Sequence, residues 1–556
     1  MTSNVRARSN NRAPMATALA GVLVLCASAG AQTVVPAERR AALRAEAVRL
    51  VDGMQKRAQV MVDTVYSFGE LGFQEHETSR YLTGILEKEG FRVERGVAGI
   101  PTAWVASWGE GKPVISLGSD LDDVPGASQK PGIPWHDPQI EGAPGHGEGH
   151  NSGVPLNILA ALAAKRIMER EHLQGTIRLW PGVDEEAVGA KAFYVRAGLF
   201  KDVDVVLFTH VATNLGVSWG PAAGNGIVSV EYSFKGEAAH AAGAPWRGKS
   251  ALAAVELMDV GFNFRREYLR LATRLHHVIS NGGGQPNVVP PDAAVWYYLR
   301  EADYDHVLNL WHIADDMAKG AALMTGTTFT SRLLGSAWPG HFNRPIAEAA
   351  YENIKAVGLP HWSDADQTLA KALQHELAVP ERGLAGKIPE LKPPPQATQE
   401  TGEGEGQGIG PLGGGSDDIG DVSWNVPTIT LRYPSNIPGG PGHSWANGVS
   451  MATPIAHKGV VAGAKVQALT ILDILFQPDL VAKAWDYFNN VQTKDVKYKS
   501  FLRPDDQPAI WLNRKVMEDY RPRMKEFYYD STKYGSYLEQ LGIRYPTVRP
   551  AAPGEK

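Results

Sequence analysis

Two imidazoles and a carboxylate fall within five residues in the stretch Pro144-Gly145-His146-Gly147-Glu148-Gly149-His150-Asn151. The intervening glycines let backbone and side chains crowd one point. Glu148 and His150 are two apart, so in an extended segment both project to one side. A carboxylate oxygen beside an imidazole nitrogen suits a divalent ion such as Zn or Mn. A polar surface turn has the same composition. The adjoining sequence favours a site: residues 154–162 are almost wholly apolar and predict the start of a buried helix. A glycine-rich, ligand-bearing loop that feeds a helix is a common way for α/β enzymes to build a centre.

Three further segments are needed to position such a loop. Residues 113–117 predict a strand that ends in Ser119-Asp120-Leu121-Asp122-Asp123. Residues 176–180 predict another, running into Asp184-Glu185-Glu186, and 203–210 a third, ending in His210. Any one of these endings has an ordinary reading. An acidic pair is favoured at a helix N-terminus by the dipole alone, and a histidine ending an apolar strand can be a core residue. Three in a row beside the His/Glu loop point to chemistry at the carboxyl ends of a sheet.

Helical periodicity over 37–64, 79–90 and 190–198 alternates with these strands, which predicts an α/β fold with a mainly parallel, doubly covered sheet. From about residue 218 the texture changes. Residues 227–234, 294–300 and 327–332 alternate apolar and polar, as half-exposed antiparallel strands do, with helices predicted over 250–266 and 304–321. This is an inserted α+β domain over 218–335, dividing a catalytic domain into 32–217 and 336–480. In the second part, 344–357 and 457–475 predict helices and 428–432 a strand, while 391–415 is a Pro/Gly-rich loop. Residues 481–556 lack clean periodicity and read as a C-terminal extension wrapping the domain.

The chain has 556 residues, 43% of them hydrophobic and 21% charged, an ordinary composition for a folded protein of two or three domains. With a net charge of −5 and no basic stripe, nucleic acid is not an expected partner. Arg6, Arg8 and Arg12 precede an apolar run from Met15, and Ala29-Gly30-Ala31 comes after it as a small-residue cleavage site. Residues 1–31 therefore read as a signal peptide for periplasmic or secreted export. The run is shorter than the roughly 20 apolar residues a membrane anchor needs, so no stable span is expected after cleavage. Cys26, the only cysteine, lies in that segment. The mature chain would have no disulfide, as suits a large periplasmic enzyme. Loss of three arginines and no acid takes its charge from −5 to −8.

In their order, His146–Gly153, Asp184–Glu186 with His210, Ala238–Gly243, Gly415–Trp424 and His443-Ser444-Trp445 resemble the metal-dependent aminoacylase and carboxypeptidase superfamily. The likeness is closest to its amidohydrolase branch of amino-acid-conjugate hydrolases and p-aminobenzoyl-glutamate hydrolase, over roughly 37–475. It implies a binuclear site in the larger domain, holding two divalent metal ions per subunit, and a smaller lid domain that forms a homodimer. The ligands it implies are Glu148, His150, Glu186, His210 and His443, with Glu185 as general base and Asp122 supporting a ligand. It also implies that His240 approaches the scissile carbonyl from the lid, often from the partner subunit, and that Asn287 and Arg300 bind substrate. The branch usually has cysteine where this chain has Glu148, and a carboxylate prefers harder ions than a thiolate does.

The expected activity is cleavage of the amide bond of an N-acyl or N-aroyl amino acid by metal-activated water. A metallo-dipeptidase or ureido-amide hydrolase would use the same groups. A metal-free binding protein on this fold would not need them all intact.

Overall fold

The periodicity over 37–64 predicts one helix; the chain forms two, Ala37–Asp52 and Gln55–Phe68, parted at Gly53. Glycine is a poor helix former, and the break lets the second helix bury Val62, Val65 and Phe68. The computed structural model describes residues 35–222, 224–393 and 415–549. The expected signal segment 1–31 and most of the Pro/Gly-rich loop over 391–415 lie outside the described residues.

The strands in chain order are β1 (Arg92–Arg95), β2 (Trp104–Glu110), β3 (Val114–Asp120), β4 (Gly175–Gly182), β5 (Val205–Ala212) and β6 (Gly220–Pro221). Then come β7 (Gly226–Lys235), β8 (Arg274–Asn281), β9 (Asp292–Glu301), β10 (Thr328–Ala337), β11 (His341–Phe342) and β12 (Thr428–Pro434). The main sheet has the order β1-β2-β4-β3-β5-β12. β4, β3, β5 and β12 run parallel, and β1 and β2 add an antiparallel edge. Every residue of β3 is buried, as expected of a parallel strand covered on both faces.

Helix Gly153–Glu171, next in the chain after the His/Glu loop, and helix Pro454–Phe476 pack together in the main core. Pro454–Phe476 is long and apolar enough to cross a bilayer, but 94% of its most apolar window is buried inside the protein. It is a core helix.

The second sheet, β10-β7-β9-β8, is antiparallel throughout. Val228, Val230, Tyr232 and Phe234 alternate inward from β7, and Val295, Tyr297 and Leu299 from β9. They pack in one core with residues of helices Ala251–Arg265 and Tyr304–Thr325. Three strands are expected here; β8 is a fourth. It is an edge strand, exposed from His276 onward, so burial imposes no alternation on it. β9 turns Trp296, Tyr298 and Arg300 to the other face, where the Tyr298 hydroxyl donates to the Glu186 carbonyl at 2.8 Å.

The C-terminal extension is tied to helices of both domains. Gln492 Nε2 donates to the Ser423 carbonyl at 2.8 Å, and the Tyr537 N–H donates to Asp63 Oδ2 at 3.0 Å. Between these points the Phe501 ring stacks on Tyr304 at 4.5 Å, and the Arg503 guanidinium lies 5.6 Å from the Trp311 ring centre.

Candidate active site

The ends of β3 and β4 are locked together by one carboxylate. Asp122 accepts the Glu185 N–H on Oδ1 at 3.0 Å and the Glu186 N–H on Oδ2 at 3.1 Å. The turn they form begins at Asp184, whose φ of 51° is left-handed. Glu75 accepts the Asp184 N–H at 2.9 Å. A Cβ at Gly72 or Gly189 would come within 1.9 Å of the Asp184 carboxylate, so both close approaches require glycine. The adjacent acids Glu185 and Glu186 are thus aimed by their backbones.

The His/Glu loop is irregular, not extended, and Gly149 has a φ of 119° that lets Glu148 and His150 converge. His150 Nε2 lies 3.6 Å from Glu148 Oε2. From β5, His210 Nε2 lies 3.4 Å from Glu148 Oε1. His443, itself at a φ of 38°, brings Nε2 to 3.2 Å from Glu148 Oε2 and 3.5 Å from Glu186 Oε2. The second ring nitrogens fix the tautomers. His150 Nδ1 pairs with the Asp122 carbonyl at 3.0 Å, and His210 Nδ1 with the Val211 carbonyl at 2.8 Å. Each Nδ1 therefore carries a proton, and each Nε2 is the ring nitrogen that faces the centre.

This donor set fits divalent ions. Among the described residues, His150 Nε2 and Glu186 Oε1 are buried with no hydrogen-bond partner, which is costly unless something binds them. Ligand-type atoms of Glu148, His150, Glu185 and Glu186 lie within 4.8 Å of one another, as do those of Asp120, His150 and His210. The charges are strongly coupled. Burial would raise Glu148, but His210, His443 and His150 hold it well below the ordinary carboxylate range. Burial would lower His150, but Glu148, Asp120 and Glu186 push it up to about 9. His443 is raised to about 9, chiefly by its hydrogen bond to Glu148. Burial and then Arg432 bring His210 down to about 4. Burial and Glu148 raise Glu186 to about 8, and burial with Asp120 raises Glu185 well above its usual range.

His146, the other imidazole of the loop, points elsewhere. Its Nδ1 pairs with Asp123 and its Nε2 lies 3.2 Å from the Val65 carbonyl. Arg300 reaches the cavity that Glu148, Glu185, Glu186, His210 and His443 line. His240 and Asn287 do not line it. Both are exposed, and His240 Nδ1 accepts the N–H groups of Ala242 and Gly243 at 3.2 and 3.0 Å. Within one chain they are not brought to the cluster.

Four residues join the site without having been expected there. Lys191 is fully buried, with Nζ bonded to Asp120 Oδ1 at 2.6 Å and to Asp418 Oδ1, and 3.9 Å from Asp417. In sequence it reads as an ordinary helix lysine; only the acidic doublet Asp417-Asp418, far along the chain, hints at a buried cation. Arg432, on β12, lines the cavity too.

The model of the peptidase dimerisation domain matches residues 223–322. One of the p-aminobenzoyl-glutamate hydrolase subunits of Escherichia coli (strain K12) is 33% identical over 449 residues, covering 78% of this chain and 92% of that protein. Xaa-Arg dipeptidase of Mus musculus is 28% identical over 330 residues, covering 58% of this chain and 73% of that protein. The crystal structure of an aminobenzoyl-glutamate utilization protein from Klebsiella pneumoniae shares the fold, with a TM-score of 0.51 at 16% identity, over 76% of this chain and 96% of that one.

Proposed function

This chain belongs to the M20 peptidase family, and from that premise we propose that it is an exported amidohydrolase of N-acyl or N-aroyl amino acids, the class that includes aminobenzoyl-glutamate conjugates. The observation that supports this most is the convergence of three imidazoles and the Glu186 carboxylate around Glu148, with the carboxyl group of Glu185 beside them.

Glu148, His150, Glu186, His210 and His443 would hold two divalent ions, Zn or Mn. Bound there, such ions lower the pKa of water and polarise an amide carbonyl. Glu185 takes the proton of the attacking water as its oxygen bonds to the carbonyl carbon. It then delivers that proton to the amine nitrogen as the C–N bond breaks, leaving a carboxylic acid and a free amino acid. Asp122 fixes the direction of both glutamates by its two N–H contacts. Arg300 takes the substrate's α-carboxylate in a bidentate contact. His240, supplied by a second subunit, stabilises the tetrahedral oxyanion.

Homodimerisation through the second sheet has surface support. Phe264 is 78% exposed on helix Ala251–Arg265, Tyr268 and Leu271 lie just beyond it, and Val278 and Ile279 are exposed on β8. Such a run of exposed apolar side chains is expected where a partner covers it. The chemistry of residues 6–31 is the basis for export.

Purified, metal-loaded protein is assayed against N-benzoyl and p-aminobenzoyl amino acids beside matched dipeptides and ureido amides. Faster release of the amino acid from acyl conjugates is expected. A clear preference for dipeptides or ureido amides would replace this reading.

A further inference from the structure

Residues 70–75 form a loop between helices Gln55–Phe68 and His76–Lys88, and its inner side grips both strand ends that carry the site. The Glu70 carbonyl accepts the N–H of Asp123, the neighbour of Asp122, at 2.9 Å. The Glu75 carboxylate accepts the N–H of Asp184, the neighbour of Glu185, at 2.9 Å and the Phe73 N–H at 3.0 Å. Gly72 lies against the Asp184 side chain. Phe73 is buried at a left-handed φ of 60°, a conformation that a bulky residue keeps only where its surroundings hold it.

The outer side of the loop is held by the C-terminal extension. Asn513 Nδ2 donates to the Gly72 carbonyl at 3.1 Å, and Gln74 Nε2 donates to the Leu512 and Ile510 carbonyls at 2.9 and 3.3 Å. Arg521, on helix Arg514–Met524, donates through Nη2 to the Gln74 carbonyl at 2.6 Å and to Glu70 Oε1 at 3.2 Å. The buried Glu70 carboxylate also accepts the Glu77 and Thr78 N–H groups at 3.0 and 2.9 Å, which ties the guanidinium to the first turn of the next helix. Buried irregular backbone needs a partner for its polar groups, and a buried carboxylate needs a counter-charge. Arg521 meets both needs.

Two short paths of contacts therefore lead from the extension to the general base. One runs from Arg521 through Glu70 to Asp123, whose neighbour Asp122 accepts the Glu185 and Glu186 N–H groups. The other runs from Asn513 through Gly72 to Asp184. Residues 70–75 and 510–521 do not line the catalytic cavity, so they reach the chemistry only through the turn. We propose that Arg521 is a positioning residue for Glu185, and that the extension is a brace set behind the catalytic turn. This rests on the reading of Glu185 as general base and adds to it a part of the chain outside the cavity. Misplacing a catalytic group by about 1 Å costs on the order of 100-fold in rate, so slack in the brace is read in kcat.

The test uses the full-length, metal-loaded enzyme, an N-benzoyl amino acid, and a second sample loaded with Co(II), whose visible absorption reports ligand geometry without any turnover. Arg521→Gln should lower kcat by roughly 10- to 100-fold and leave KM within about twofold, with metal content unaltered. Its Co(II) spectrum should change, because Asp122 aims the ligand Glu186 as well as Glu185. Arg521→Lys should recover part of the loss. Arg44→Gln serves as the stability control; it breaks contacts with Asp473 and Asn353, on helices Pro454–Phe476 and Arg344–Val357, and should lower the melting temperature without lowering kcat. If Arg521→Gln does not fold, Asn513→Gly takes its place, since glycine accepts the φ of 61° there, and the same change in kcat and spectrum is expected. An unaltered kcat or an unaltered spectrum in the folded variant overturns the brace, as does an equal loss of kcat in Arg44→Gln. No hydrolysis of any acyl conjugate by the unaltered enzyme overturns the amidohydrolase reading instead, and the Co(II) spectra then decide the brace alone.

Discussion

At Glu148 one carboxylate faces three imidazoles, and the protons of the ion-free cluster sit elsewhere: on His150 and His443, each raised to about 9, and on Glu186, raised to about 8. Divalent ions need the deprotonated forms, so loading must expel these protons. Metal affinity should therefore rise steadily from pH 6 to about pH 9, with proton release visible when calorimetry is repeated in buffers of different ionisation enthalpy. A flat affinity over that range would mean that these groups are not the ligands. Glu185 is separable from them. Glu185→Gln should keep its metal and lose turnover by about 100-fold or more, as read by elemental analysis and kcat on the same preparation. Loss of metal instead would exchange the roles of Glu185 and Glu186.

Among the elements, the carboxyl ends of β3, β4, β5 and β12 do the positioning, and Lys191 is the buried cation that joins β3, at Asp120, to the loop at Asp417-Asp418. Removing one partner from a buried charge cluster leaves uncompensated charge and costs about 3–5 kcal/mol. Lys191→Met should accordingly unfold at a clearly lower temperature or denaturant concentration; an unshifted transition would show that Asp120 and Asp418 are neutral there. The parallel strands and buried helices were legible because strong apolar runs and glycine stops mark them, and the acids and His210 at the strand ends could be read from those runs. β8 was not legible, since an exposed edge strand carries no burial pattern. Nor was the break at Gly53, inside a segment with otherwise even helical periodicity. Lys191 and Arg432 were missed for a different reason. A lysine on a helix and an arginine on a strand look like surface charges until the fold shows what lies opposite them.

For the whole molecule, the open question is how His240 could act. It is exposed on the second sheet's domain and outside its own chain's cavity, so a role in catalysis requires closure of that domain or a second subunit. In the proposed dimer, His240→Ala and Glu185→Gln subunits are each inactive alone. Mixed dimers should regain one good site, made from one subunit's Glu185 and the other's His240. Absence of recovery, with subunit exchange proven by mass, would remove His240 from the mechanism as an interface residue. The extension that stacks Phe501 on Tyr304 and anchors Tyr537 to Asp63 spans both domains, so the full chain is the right material for this experiment.

The most direct test is a metal titration of hydrolysis. Chelated, metal-free protein receives Zn or Mn stepwise while bound metal and the rate of amino acid release from an N-aroyl amino acid are measured on the same samples. Activity should be absent at the start and level off near two ions per chain, and His150→Ala and His443→Ala should lose bound metal and activity together. Full activity in the chelated protein, or metal binding that leaves hydrolysis unchanged, would contradict a metal-dependent amidohydrolase.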